Sequence, residues 1–224
     1  MTYSGRFSLG LILCLASSLA AAAQSELVIR IKPANTALKA NVEGYIGSLG
    51  ERDEEALLRF SRGAEEQARK AAQALGYYQA QIGSEVLPPR DDDKGPRLRL
   101  TIEPGEPVHL RNVTVRIDGP ASQLKAFRIP DSKALRSGEV LNHGHYEDAK
   151  RLIQNQASRY GFFKGRFTRN RLSVDPAAGV ADIELVYDSG PRYSLGKVKF
   201  DGDSPFDEDL LQRMVPFKEG TPYD

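Results

Sequence analysis

The feature that most constrains the fold of this chain is a repeat at a fixed offset of 85 residues. The segment GYYQA at 76–80 returns as GFFKG at 161–165, and the alternating run LRLTI at 98–102 returns as IELVY at 183–187. An offset that is kept across several motifs indicates one structural unit used in series. Serial units commonly form extended binding surfaces, so we look for function first in contacts with other proteins.

The first 23 residues are predicted to be a signal peptide for export. Arg6 gives the start a positive charge, residues 9–15 form an apolar run, and residues 21–23 are the small alanines that a signal peptidase requires. The apolar run is too short for a membrane anchor, which needs about 20 residues. A lipoprotein signal at Cys14 is disfavoured because a bulky leucine precedes the cysteine.

The chain after the signal contains no cysteine and has no net charge. Cys14 is the only cysteine and Arg6 is the only charged residue of the signal, which leaves 30 basic and 30 acidic residues in the remainder. An exported chain without disulfides is typical of a bacterial periplasm. The charge balance removes the electrostatic basis for binding nucleic acid.

Motifs for catalysis or cofactor binding are not found in the sequence. It has neither the G-x-S-x-G nucleophile motif nor a phosphate-binding glycine loop. His143 and His145 are spaced like metal ligands, but no cysteine accompanies them and the glycine between them predicts a loop. We therefore expect no catalytic residues, no metal, no cofactor and no enzymatic activity.

Each unit is predicted to follow the order strand, helix, helix, strand, strand. In the first unit, alternation predicts a strand at 27–31, and helical spacing predicts helices that end at Gly50 and Gly76. Two further alternating runs, at 80–86 and 98–102, predict a closing hairpin. The predicted fold class is therefore α+β, with two helices packed on one face of a three-stranded mixed sheet.

The second unit repeats this order, and a third unit begins it. The second is predicted to open with a strand at 108–117, to have a short helix at 124–127 and a long helix that ends at Gly161, and to close with a hairpin. The third is predicted to have a strand at 193–200 and a helix at 206–215, without the long helix and hairpin. The predicted domains are the signal peptide and three units, bounded at 1–23, 24–104, 105–189 and 190–224. We expect this sequence to be the leading part of a longer protein.

Serial units of this kind, with Gly-Tyr-Tyr or Gly-Phe-Phe after the long helix, resemble the POTRA (polypeptide-transport-associated) domains of the Omp85 superfamily. The unit junctions are similar too: EPG at 103–105 precedes LRNVTV at 110–115, and DSG at 188–190 precedes LGKVKFDG at 195–202. Within the superfamily the layout is similar to the TamA (translocation and assembly module subunit) family. That family has three such modules followed by an outer-membrane barrel.

The resemblance implies a periplasmic region of an outer-membrane protein assembly or autotransporter secretion factor, held at the outer membrane by a barrel that would follow. It implies two partners: a TamB-like protein anchored in the inner membrane, and unfolded outer-membrane protein clients. It implies protein–protein contacts without nucleic acid or cofactor. The alternatives are the POTRA region of another Omp85 transporter and a periplasmic scaffold protein without a barrel.

A sheet with a free edge can accept an extended client strand by main-chain hydrogen bonding. The resemblance implies such edges at 79–87 and 164–172, and the polar positions there are the candidate contacts: Gln79, Gln81, Gly83, Lys164, Arg166, Thr168 and Asn170. Alternatively, the charges of the second edge only prevent aggregation. The aromatic pairs at 77–78 and 162–163 could also bind clients, but we expect at least one member of each pair in the core.

Overall fold

The computed structural model describes residues 24–91, 94–130, 133–203 and 205–224, so the predicted signal lies outside the described residues. The first unit contains three strands: β1 (Glu26–Ile31), β2 (Gln81–Leu87) and β3 (Arg97–Glu103). β3 is the central strand, parallel to β1 and antiparallel to β2. The predicted mixed three-stranded sheet is confirmed.

Two helices of the first unit, α1 (Thr36–Ile46) and α2 (Glu54–Ala74), cover one face of this sheet. Each begins at a capping side chain: Asn35 accepts the N–H of Leu38, and Asp53 accepts the N–H of Ala56. The apolar stripes of both helices meet the inward side chains of β3 in one core. The core members of the first unit with no exposed surface are Leu38, Val42, Leu57, Ala64, Ala68, Ala71, Ala72, Leu98, Leu100 and Ile102.

The second unit repeats the sheet with strands β4 (His109–Asp118), β5 (Arg166–Asp175) and β6 (Val180–Asp188). β6 is central, parallel to β4 and antiparallel to β5. One long helix, α3 (His143–Arg159), lies on the sheet and buries Tyr146, Ala149, Ile153 and Ala157. The predicted α+β fold class is therefore confirmed in both units.

The first helix of the second unit is replaced by two short turns. These 3₁₀ turns lie at Pro120–Gln123 and Lys133–Leu135, so the helix predicted at 124–127 is wrong. Leu124 has an extended backbone (φ −82°, ψ 109°), and a run of four residues is too short to pay for helix nucleation. Two other predictions also need correction: α1 ends at Gly47 rather than at Gly50, and His143 and His145 lie in the first turn of α3 rather than in a loop.

The described residues of the third unit contain one regular element, α4 (Glu208–Met214), which lies within the predicted helix. The strand predicted at 193–200 is wrong, because no strand pairs with that segment in the part of the chain that the structure describes. Its only sheet-like contact there is a single bridge between Ser194 and Pro222. Across the described ranges, no helix combines the length and apolar character that crossing a membrane requires.

The cap of α2 supports a testable prediction. Asp53 Oδ1 accepts the N–H of Ala56 at 2.7 Å, and an alanine at position 53 would leave that N–H without its acceptor. Asp53→Ala should lower the free energy of unfolding by about 1 kcal/mol, measured by urea denaturation. Asp53→Asn keeps an acceptor and should lose less. An equal loss in both variants would contradict a capping role.

Candidate functional site: free sheet edges and unit junctions

Both predicted edge strands lie at the edge of a sheet: among the residues that the structure describes, β2 pairs only with β3, and β5 pairs only with β6. The direction of the main chain then decides which groups are free. Glu26 and Lys32 donate their N–H groups to the carbonyl oxygens of Pro96 and Ile102, at 3.3 and 3.0 Å. Because main-chain groups alternate sides along a strand, β3 turns its even-numbered residues to β1 and its odd-numbered residues to β2.

The candidate contacts Gln81 and Gly83 therefore use their main chain inside the sheet. They lie opposite Glu103 and Thr101, two of the residues that β3 turns towards β2. A partner could therefore contact only the side chain of Gln81 and the Cα of Gly83, on the open face of the sheet. The free N–H and C=O groups of the β2 edge belong to the residues between and after them: Ile82, Ser84 and Val86. Sequence alternation predicts the face on which each side chain lies. Which residues have free main-chain groups depends instead on the register with β3.

Carboxylates of α2 lie beside β2, together with Arg69, whose Nη1 donates to Ala80 O at 3.4 Å. The Ser84 hydroxyl donates to Glu65 Oε1 of α2 at 2.5 Å. Further along the same two elements lies a cavity of about 410 Å³, whose lining includes Glu54, Glu55 and Val86. A strand added at β2 would thus place its side chains beside carboxylates of α2.

A bulge changes the faces of β5. The register shifts between Phe167 and Arg169, so Thr168 is an extra residue and the alternation restarts after it. Asn170 lies opposite the buried Leu185, and the Tyr146 hydroxyl of α3 donates to Asn170 Oδ1. The four candidate contacts of the second edge therefore do not share one solvated face, which corrects the sequence interpretation.

The free main-chain groups of β5 follow from the same reasoning. His109 donates its N–H to Gly179 O at 3.0 Å and Ser189 donates to Asp118 O at 3.1 Å, so β6 turns odd-numbered residues to β4 and even-numbered residues to β5. Arg166 lies opposite Asp188 and is bonded inside the sheet. Asn170, opposite odd-numbered Leu185, leaves its N–H and C=O on the outer edge.

Two cations on the open face of the second sheet are paired across strands. Arg169 lies 2.5 Å from Glu184, and Arg111 forms an ion pair with Asp182. The hydrogen bond from Arg111 lowers the pKa of Asp182 to about 2, and Asn112 also donates to this carboxylate. Paired charges of this kind fit the interpretation in which they protect the edge from unwanted pairing.

Gln79 and Lys164, which are equivalent positions in the repeat, both contact the following unit. Gln79 Nε2 donates to the carbonyl of Pro176 at 2.7 Å, in the turn between β5 and β6. Lys164 Nζ lies 5.9 Å from the centre of the Tyr193 ring. These two candidates belong to the junctions between units rather than to a free edge.

The first junction is built from main-chain hydrogen bonds around Gly76. Its carbonyl accepts the N–H of Val108 at 2.9 Å, and the carbonyl of Val108 accepts the N–H of Leu141 at 2.8 Å. Gly76 has φ +88°, and a Cβ added there would lie 2.6 Å from the carbonyl oxygen of Leu141. The close approach and the positive φ both require glycine.

The second junction repeats this arrangement around Gly161. Its carbonyl accepts the N–H of Tyr193 at 2.8 Å, and the carbonyl of Tyr193 accepts the N–H of Tyr223 at 3.0 Å. Gly161 has φ +77°, and an added Cβ would lie 2.8 Å from Cβ of Tyr223. Arg192 reinforces the junction, since Nε donates to Tyr160 O and Nη2 donates to Tyr223 O.

The aromatic pair that follows each glycine divides between two units. Tyr77 packs on the core of the first unit, whereas Tyr78 packs on the core of the second. Phe162 is only 2% exposed in its own core, but Phe163 is 52% exposed and its ring contacts the rings of Tyr193 and Tyr223. The expectation of at least one core member in each pair is confirmed. The second member serves the junction, which no sequence pattern indicated.

Tyr78 and His143 form the one side-chain hydrogen bond in the described residues that joins the first unit to α3, with 2.7 Å between the hydroxyl oxygen and Nε2. Burial lowers the pKa of His143 and raises that of Tyr78. The partner of this half-buried imidazole is thus a neutral hydroxyl group. Within the described ranges, no group of three or more His, Cys, Asp or Glu side chains is arranged to hold a metal ion.

Comparison with known families and structures adds to this geometry. Residues 28–104 match the family model described as the POTRA domain TamA domain 1. These residues cover most of the first unit, which is similar to that POTRA domain. The resemblance to POTRA domains of the TamA type, read from the repeated motifs, is thereby confirmed on an independent basis.

Several solved POTRA structures cover most of the chain at low identity. POTRA3-5 of BamA from Haemophilus influenzae is 18% identical over 90% of this chain and 80% of that one, with a TM-score of 0.45. The N-terminal domain of Omp85 from Thermosynechococcus elongatus is 18% identical over 89% and 78%, with a TM-score of 0.36. POTRA1-3 of the periplasmic domain of Omp85 from Anabaena is 15% identical over 89% and 78%, with a TM-score of 0.33.

The first junction can be tested at its glycine. Gly76→Ala places a Cβ against Leu141 O at a positive φ, so we expect a loss of about 1–3 kcal/mol in the free energy of urea unfolding. Gly63→Ala is the matched control, because position 63 lies inside α2 with no atom within 4 Å of the added Cβ, and it should be neutral or stabilising. Equal behaviour of the two variants would refute the packing argument.

The Tyr78–His143 contact predicts a pH dependence. The ordinary pKa of histidine is 6.5, and burial lowers the value for His143 in the folded chain. On acidification through pH 6.5 the unfolded chain is therefore protonated first, and the stability of the folded chain falls. His143→Gln keeps an acceptor for the hydroxyl, so its unfolding free energy should decline less between pH 7 and 5. The exposed neighbour provides the control, and His145→Gln should follow the native chain.

Proposed function

We propose that this chain is the periplasmic POTRA region of an outer-membrane protein assembly or autotransporter secretion factor of the TamA type. It would dock a TamB-like partner anchored in the inner membrane and handle unfolded outer-membrane protein clients. Both activities would use protein–protein contacts and no catalysis. The match of the first unit to the first POTRA domain of TamA supports this family over other Omp85 transporters.

The observation that carries the proposal is the free main-chain edge of β2. Ile82, Ser84 and Val86 turn their N–H and C=O groups away from β3, and within the described part of the chain β2 has no second neighbouring strand. Such an edge can accept an extended segment by the hydrogen bonds of an ordinary sheet. Asn170 of β5 provides an equivalent free position in the second unit.

The proposed organisation keeps the predicted boundaries. Residues 1–23 would direct export, residues 24–104 and 105–189 would form two complete POTRA modules, and residues 190–224 would begin a third. The place of action is the periplasmic face of the outer membrane, with attachment through a barrel supplied by a longer protein.

Proline substitution at the free positions tests the proposal. At Ser84 the main-chain N–H faces outward, so Ser84→Pro removes a donor needed by an added strand without removing a hydrogen bond to β3. Ser84→Ala is the matched control, since it removes only the hydroxyl that bonds Glu65. Asn170→Pro and Asn170→Ala form the same pair in β5.

Binding of the purified TamB-like partner from the same organism is measured for each variant by surface plasmon resonance. We expect at least one proline variant to weaken binding by about tenfold or more, with its alanine control within about twofold, as for the loss of one or two sheet hydrogen bonds. Circular dichroism checks that each variant is folded. Unchanged binding by both folded proline variants would rule out docking at these edges.

A further inference from the structure

The opposite edge of the first sheet has a free main chain as well. β1 turns Glu26 and Lys32 towards β3, so the residues of opposite parity face outward: Leu27, Ile29 and Ile31. Only the start of this edge is covered, where Ser25 donates its N–H to Gly50 O at 2.9 Å. Among the described residues, no main-chain partner covers the edge beyond that point.

A groove of about 480 Å³ lies beside this free edge, between the end of β1 and the start of α1. Its apolar side is formed by Ile29 and Ile31, both half-buried against the core. Its rim carries three cations, Arg30, Lys32 and Lys39. None of the residues that line it, all within the described range 24–91, is acidic.

The cations of the groove are largely uncompensated. Arg30 and Lys32 have no ion-pair partner among the described residues, and Lys39 has only the exposed Glu43 at 3.9 Å. The first turn of α1 contains no acidic side chain, whereas α2 begins with Glu54 and Glu55. The positive end of the α1 dipole therefore adds to the charge of the rim.

The equivalent edge of the second unit, at β4, does not have this arrangement. There the outward N–H of Leu110 donates to Glu139 O at 2.8 Å, and Leu110 O accepts the N–H of Gly138 at 2.7 Å. Short 3₁₀ turns also replace the helix that forms one wall of the groove. The combination of free edge, apolar wall and basic rim is thus a property of the first unit in the described chain.

We propose that the groove between β1 and α1 binds an extended acidic segment of another protein, which adds to the sheet beside β1. The outward N–H and C=O groups require an extended main chain, and the half-buried isoleucines select apolar side chains on alternate residues. The cations select carboxylates on the residues between them. This site is separate from the β2 and β5 edges, and its cationic rim contrasts with the carboxylates of α2 that lie beside β2.

The test uses the full chain and a fluorescein-labelled nine-residue peptide of alternating valine and glutamate. Fluorescence anisotropy should show binding that is lost when glutamine or lysine replaces every glutamate. Combined Arg30→Glu, Lys32→Glu and Lys39→Glu substitutions should weaken binding by about tenfold or more, because each exposed ion pair contributes only a few-fold. The matched control reverses the charge of two exposed cations of α2, Arg62→Glu and Lys70→Glu, and should bind as the native chain does.

Amide hydrogen exchange then locates the added strand. The proposal requires new protection at the N–H groups of Leu27, Ile29 and Ile31 when the peptide is bound. Protection at Ile82, Ser84 and Val86 instead, or equal binding of the glutamine peptide, would overturn it.

Competition by inorganic phosphate or by vesicles of phosphatidylglycerol, without amide protection, would also overturn the proposal, because it would identify a simple anion site or a membrane contact. The β2 and β5 proposal is measured separately with Ser84→Pro and Asn170→Pro. A negative result at the β1 groove therefore does not affect the test of the β2 and β5 edges, and the reverse also holds.

Discussion

The serial arrangement depends on a single kind of hydrogen bond, from the main-chain N–H that opens each new unit to the carbonyl of the glycine that ends the previous long helix. Gly76 accepts from Val108, and Gly161 accepts from Tyr193. A helix that ends in the left-handed conformation leaves this carbonyl available, and any larger residue would collide with the next unit. The helix end, the core beneath it and the start of the next unit are therefore fixed together. Because the junctions at Gly105 and Gly190 are also short, we expect limited hinge motion between units.

Much of the first unit could be predicted from the sequence because its elements are set by local periodicity. Alternation located β1 and β3, and helical spacing with a terminal glycine located α2. The wrong predictions arose where partners decide the structure. The segment 193–200 alternates like a strand, but a strand needs a neighbour, and within the described residues it has one bridge. The bulge at Thr168 likewise depends on pairing with β6 and reverses the faces that simple alternation assigned.

The candidate contacts likewise show that the sequence predicts the faces of side chains better than it predicts which main-chain groups are free. Polar positions that alternate along a strand mark a solvated face, which is how Gln81 and Gly83 were selected, but strand addition uses the main-chain groups of the residues between and after them. Gln79 and Lys164 have the same polar character and nevertheless contact the following unit. The polar pattern identified the edge strand. Which N–H and C=O groups of that strand are free depends on whether odd- or even-numbered residues face the central strand, and this is known only once the register is known.

In each of the first two units, the junction glycine and the edge strand belong to one continuous segment of the chain. β2 begins at Gln81, shortly after Gly76, and β5 begins at Arg166, at the same distance after Gly161. Between each glycine and its strand lie the aromatic residue that packs on the next unit and the polar residue that contacts it. A strand added at either edge would therefore extend a sheet whose first residues are already held by the neighbouring unit. Binding at an edge and the rigidity of the adjoining junction should be energetically coupled, since ordering one restricts the conformations open to the other.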